Sequence, residues 1–192
     1  MPSASATPTG APTAASAAPP ASAEPSSPAA ESLDPLAPEL SPRGNLIKQI
    51  GEPAGIIDGN GERLANFVIN SISPDVQCTE ASAEPAENGL FVAVDVSVQT
   101  SPAMAAPDAL ISSFDMSSSL FRTISPEGIS SNADPGTFAA FLCLDDTALL
   151  PSSIGPGENA QGIVLLDVEH PAGTLIFEDL YTGSAWEWTY PG

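Results

Sequence analysis

The chain has 192 residues, 24 acidic and 4 basic, for a formal net charge of −20. Its mean hydropathy is nonetheless slightly positive, at +0.09, and 21 residues are proline. A nucleic-acid binder and a basic membrane-surface protein are poor fits, because both need clustered Lys and Arg to meet anionic phosphate. A two-domain enzyme fits this length and composition no better.

Position resolves the contradiction between charge and hydropathy. Residues 1–42 hold ten of the prolines, no Lys, Arg, Cys, His or aromatic residue, and only Leu33, Leu36 and Leu40 among large aliphatics. That is too little apolar surface to offset ordering entropy, so a disordered Ala/Pro/Ser/Thr-rich linker is expected there. Residues 43–192 contain 8 Val, 12 Ile, 13 Leu and 7 Phe. A domain of about 150 residues buries roughly two-thirds of its unfolded surface, enough for one self-sufficient core. With Glu24, Glu31, Asp34 and Glu39 assigned to the linker, the domain carries −16. Such an excess repels polyanions and anionic headgroups and leaves cationic groups, metal ions or neutral surfaces as partners; keeping the protein soluble is its simpler role.

No apolar run approaches the roughly 18–20 residues of a membrane span. Met1-Pro2-Ser3 opens into Ala/Ser/Thr/Pro sequence without a basic n-region or apolar h-region. Either the chain is cytosolic, or it is a mature exported sequence whose signal was replaced by an initiator Met. The linker favours the second reading, since such leaders serve as spacers between an envelope anchor and a folded domain.

From Leu64 onward the pattern is β. Leu64–Ser73 reads as a strand with Phe67 and Ile69 inward and Asn66 and Asn70 outward, and a short strand is allowed at Val76–Thr79. Leu90–Thr100 is the clearest strand, with Val92, Val94, Val96 and Val98 on one face and Asp95, Ser97 and Gln99 on the other. Ser113–Ile124 is expected to be a strand placing Phe114, Met116 and Leu120 together. Thr137–Leu144 is expected to be a short helix, from the i, i+3, i+4 spacing of Phe138, Phe141 and Leu142. Gln161–Glu169 is apolar on both faces until Asp167, like a central strand; Thr174–Glu178 follows a Pro171-Ala172-Gly173 turn, and Ala185–Tyr190 closes the chain. Six or seven strands with turns between them predict an all-β antiparallel sandwich.

Chemistry-bearing residues are sparse. His170 is the only histidine, and no GxSxG or SxxK accompanies the serines, so a surface turn is the simpler reading of it. Asp58-Gly59-Asn60-Gly61-Glu62 opens like a calcium loop, but Arg63 stands where Gly is required and Ile69 where Glu is required, leaving a polar turn. The Asp145-Asp146 pair is weak evidence for a cation, and no glycine arrangement supports nucleotide binding. Neither a cofactor nor a metal is expected. Cys78 and Cys143 lie far apart, and one histidine cannot complete a zinc set with them. In an exported chain they would form a disulfide; otherwise they are buried thiols. Trp186, Trp188 and Tyr190 alternate with Glu187 and Thr189, so the three rings share a strand face. That face is either a stacking platform for sugar rings or part of the core.

Several local patterns recur together. Ile50-Gly51-Glu52-Pro53-Ala54 is followed by Phe67–Ile72 and Cys78, then Asn88–Val96, Cys143, Gly155-Pro156-Gly157-Glu158, Gly162–Asp167 and Trp186-Glu187-Trp188. In order and spacing, over residues from about 45 to 190, this resembles the uncharacterised immunoglobulin-like domain of exported lipoproteins and secreted antigens in Gram-positive bacteria, especially actinobacteria. The resemblance implies an immunoglobulin-like β-sandwich, export to the cell surface, a Cys78–Cys143 disulfide and no catalytic residues. It also implies lipid anchoring through a cysteine ahead of a linker like residues 2–42. No such cysteine is present, so an anchor is expected only if truncation removed it. Both Trp residues follow Cys143, unlike the antibody pattern with its Trp between the cysteines.

The expected function is therefore that of an exported, surface-tethered, non-catalytic domain that binds a protein or cell-envelope component or serves structurally. The alternatives are a cell-wall glycan module using Trp186, Trp188 and Tyr190, and, more remotely, a carboxylate-dependent hydrolase.

Overall fold

Val92, Val94, Val96 and Val98 all project into one apolar core shared by two four-stranded sheets. The computed structural model describes residues 38–191; the linker expected over residues 1–42 lies outside the described residues as far as Ala37. In chain order the strands are β1 (Leu46–Ile47), β2 (Pro53–Ile57), β3 (Arg63–Pro74), β4 (Leu90–Thr100), β5 (Phe121–Ile124), β6 (Asn159–Val168), β7 (Gly173–Glu178) and β8 (Ala185–Tyr190). One helical turn, α1 (Phe138–Phe141), lies between β5 and β6. The sheets run β1-β8-β7-β5 and β2-β3-β4-β6. All pairings are antiparallel except β1 with β8. The fold is an immunoglobulin-like β-sandwich.

Aromatic rings fill its centre. Phe67 on β3 meets Trp186 edge-on at 5.1 Å and Phe177 at 5.5 Å, and stacks on Phe114 at 5.7 Å. Each such pair adds about 0.5–1.5 kcal/mol beyond area burial. The alternation along β3 slips once, between Ile69 and Ser71. This bulge puts Ile72 rather than Ser71 into the core, and turns Asn70 outward to donate to Asp95 Oδ1 (3.0 Å) and Ser97 Oγ (2.9 Å).

Three expectations need correction. Ser113–Ile124 is a strand only over its last four residues. The Asp115 carboxylate takes the Ser117 N–H (2.8 Å) and bends the chain into a 3₁₀ turn at Ser118–Leu120, although Phe114 and Met116 are still buried. Val76–Thr79 forms no strand; Val76 makes one backbone bond to Phe91. β6 is the last strand of its sheet, not a central one. It is apolar on both faces because a second small cluster covers its outer side. Ahead of β1 the described chain already packs on the strands that follow. Ile47 N donates to the Glu39 carbonyl, and Ser41 is buried.

The segment from Ser41 to Asn45 lies over the outer face of β8. Arg43 grips Glu187 with Nη2 to Oε1 at 2.9 Å and Nε to Oε2 at 3.2 Å, and Asn45 Nδ2 adds a bond to Oε2 at 3.0 Å. Glu187 is thus buried beneath these residues rather than solvated. Burial pushes its carboxyl upward, but the hydrogen bonds from Arg43, Asn45 and Ser41 outweigh that and hold it below the ordinary glutamate value.

Candidate functional site

Cys78 and Cys143 form a disulfide. It does not join the two sheets across the core, as in antibody domains. It sits on the outer side of the β2-β3-β4-β6 sheet, among Phe91 and Ala93 of β4, Leu165 of β6, and Ala139, Ala140 and Leu144. The Thr79 and Glu80 N–H groups both donate to the Cys143 carbonyl, at 2.9 and 3.2 Å. The β3–β4 loop and α1 are therefore clasped together as a layer outside the sandwich.

Asp167 fixes that layer to the sheet. It is only 1% exposed, and its carboxylate accepts from Glu87 N (2.6 Å), Asn88 N (2.9 Å) and Thr137 Oγ1 (2.9 Å). Thr137 Oγ1 also accepts from Ala140 N (3.2 Å), which caps α1. Asn88 Nδ2 donates to the Asp134 and Asp167 carbonyls, each at 3.0 Å. Three separate stretches of chain, residues 87–88, 134–140 and β6, meet at this one carboxylate.

This anchoring decides which face of α1 is buried. Ala139 and Ala140 pack inward, whereas Phe138 and Phe141 stand out at 64% and 62% exposure. Their rings lie near-parallel, 22° apart in plane, with centroids separated by 6.5 Å. A short helix is present as expected, but only over Phe138–Phe141, and its phenylalanines face water. The i, i+3, i+4 spacing predicts the helix without saying which way its rings face. The signal was in the sequence all the same: Cys143 lies three and four positions beyond Ala140 and Ala139, so a tethered Cys143 puts the alanines, not the phenylalanines, against the sheet.

Phe141 separates two depressions. On the β6 side is an apolar cavity of about 220 Å³ walled by Leu149, Leu150, Ile163 and Leu165. The chain at Leu149–Leu150 approaches β6 so closely that a Cβ on Gly162 would sit 2.5 Å from Leu150 N. On the other side is a hollow of about 360 Å³ lined by Phe141, Leu142, Glu80, Asp145 and Asp146. Residues 75–88 and 134–147, which frame α1, carry seven acids (Asp75, Glu80, Glu84, Glu87, Asp134, Asp145 and Asp146) and no Lys or Arg. Arg43, Lys48 and Arg122 are paired elsewhere with Glu187, Glu52 and Glu178.

The other residues singled out by sequence fall away from this surface. Trp186, Trp188 and Tyr190 are 2%, 1% and 2% exposed and form part of the central core. None has a ring face free for a sugar, which corrects the platform reading; the alternation was real, but the shared face is the inner one. Tyr190 Oη donates to the His170 carbonyl at 3.1 Å, and His170 is itself an exposed turn residue. Asp58 closes the β2–β3 hairpin by accepting from Asn60 N (2.9 Å) and Glu62 N (2.8 Å). Asp145 is occupied by the Thr147 hydroxyl and N–H, which hold its carboxyl below the ordinary value. Among the described residues no group of three or more His, Cys, Asp or Glu is placed to hold a metal.

No family model and no curated protein sequence matches this chain. Among solved structures, the chain is similar to MPT63, a secreted protein from Mycobacterium tuberculosis, with a TM-score of 0.46 and 13% identity over 76% of this chain and 98% of that one. It is also similar to a candidate lipoprotein (ycdA) of Bacillus subtilis subsp. subtilis, with a TM-score of 0.40 and 14% identity over 67% of this chain and 37% of that one.

Proposed function

We propose that this chain is an exported, non-catalytic binding domain that meets a protein or cell-envelope component through the Phe138–Phe141 surface. The observation that carries the reading is the exposure of two neighbouring phenylalanines on a mount fixed by a disulfide and a buried carboxylate. Leaving two large rings in water forgoes roughly 1.5–3 kcal/mol of burial each. A held pair of this kind suits a partner, because little conformational freedom is left to lose on binding. The disulfide supports export, since such bonds persist in oxidising compartments and are rare in reducing ones. The composition of residues 1–42 suits a spacer that holds the domain away from a surface anchor.

The test uses fluorescently labelled domain and isolated cell envelopes of a Gram-positive bacterium. Phe138→Ser with Phe141→Ser is expected to weaken binding roughly tenfold or more, as loss of two aromatic contacts does. Ile129→Ser, a change at an exposed apolar residue in the turn after β5, is expected to leave it unchanged. Equal binding by all three proteins would remove the Phe138–Phe141 surface from the function.

A further inference from the structure

Resting on that reading, we propose that the partner presents a cationic polypeptide segment, with an Arg or Lys side chain laid across Phe141 and its charged head in the acidic hollow beside it. Phe141 and Leu142 give that hollow apolar lining, and Glu80, Asp145 and Asp146 give it carboxylates. An arginine or lysine matches this combination, because its alkyl stem packs on apolar surface while its head keeps to charge and water. The aromatic face adds a cation–π attraction. Asp145 is engaged by Thr147, which leaves Glu80 and Asp146 as the exposed carboxylates free to turn toward the ligand; neither donates to nor accepts from another side chain among the described residues.

Charge complementarity selects this occupant over others. The two segments framing α1 carry seven acids without one base, so no cation of their own neutralises the surface. An anionic lipid headgroup, a nucleic acid or a teichoic-acid-like polyanion would be repelled there. A second copy of this chain is repelled for the same reason, because it would bring an equally acidic face. A neutral glycan could stack on the rings but would leave the carboxylates without a counter-charge.

The test titrates the whole chain with four short synthetic peptides that share a leucine framework and carry Arg, Lys, Glu or Ser at alternate positions. Binding is read by calorimetry and by amide chemical-shift changes, at about 50 mM and about 300 mM salt. The Arg and Lys peptides are expected to bind, to shift amides around 138–147, and to weaken at the higher salt. Phe138→Ser with Phe141→Ser should weaken the Arg peptide roughly fivefold or more. Glu80→Gln with Asp146→Asn should weaken it roughly threefold or more and flatten its salt dependence. Arg-peptide binding unchanged by the phenylalanine substitutions would mean diffuse attraction to an acidic protein, and would overturn the inference. Equal affinity for the Ser peptide would overturn it too, while leaving an apolar docking surface intact. Phenylalanine-dependent binding to envelopes with no affinity for any peptide would likewise sink the cationic partner but not the binding surface; loss of both would sink both.

Discussion

The Thr137 hydroxyl donates to Asp167 Oδ2 at 2.9 Å and accepts from Ala140 N at 3.2 Å, so one side chain both caps α1 and fastens it to β6. Among the described residues Asp167 pairs with no cation; its carboxylate is met by two backbone N–H groups and that hydroxyl. The position of the exposed phenylalanines depends on this joint.

Replacing Asp167 by Ala removes a buried acceptor that three half-buried hydrogen bonds share. The expected cost is about 3 kcal/mol, the scale for losing hydrogen bonds to a charged group. For a domain of this size that lowers Tm by roughly 10 °C. Thr137→Val removes the cap and one of the three bonds and is expected to cost about 1–2 kcal/mol. Thermal unfolding followed by circular dichroism measures both, and an Asp167→Ala protein that melts with the wild type would show the joint to be dispensable.

Glu187 gives a pH dependence whose sign can be worked out. Its carboxyl is held below the ordinary value when folded and returns to about 4.3 when unfolded. Its contribution to stability is therefore complete above about pH 4.3 and is lost as the pH falls through the folded value. Glu52, Asp58, Glu127 and Asp145 are also held low, so the whole protein weakens in acid and the Glu187 share is read by difference. Urea unfolding should find Glu187→Gln less stable than wild type by about 1–2 kcal/mol near pH 7. The gap should close as the pH falls below about 4.3 and through the lowered folded value. A gap independent of pH would mean that the Arg43–Glu187 contact acts by packing rather than by charge.

The disulfide closes a loop with a sequence separation of 65. In the chain-entropy account that is worth about 4 kcal/mol, so reduced protein should unfold at markedly lower denaturant than oxidised protein. Because the bond lies outside the sandwich core, the near-ultraviolet signal of Trp186 and Trp188 is expected to survive reduction in native buffer. Loss of that signal on reduction would show that the outer layer and the core unfold as one.

What the sequence made legible follows from how local each signal is. β4 could be read residue by residue because a strand with one apolar face obeys a period of two, and Leu90–Thr100 is observed with the bounds expected. β8 was equally plain, yet alternation places Trp186, Trp188 and Tyr190 on one face without saying which side of the sheet is wet. That choice belongs to the opposite sheet, through Phe67 and its neighbours. Two-residue β1 has no alternation to detect, and it forms only because β8 offers a parallel edge. The Phe138–Phe141 surface was hidden because i, i+3 spacing marks a shared face, while the disulfide and Asp167, both distant in sequence, decide that the face points outward.

The inner placement of the tryptophans has its own consequence. Trp186 stacks on Phe177 at 5.7 Å, and Trp188 lies 6.4 Å from Phe67, so both indoles are enclosed by hydrocarbon. Iodide, which must touch an indole to quench it, should leave native emission nearly unchanged and quench strongly once urea unfolds the chain. Free glycans and cell-wall fragments should shift neither intensity nor wavelength, since the surface they would meet contains no tryptophan. Strong iodide quenching of the native protein would contradict the core, whereas a glycan-dependent shift would reopen the β8 face as a binding surface. Phe138 and Phe141, by contrast, are expected to report a partner only through their own amide and ring resonances, which makes the two surfaces separable in one titration.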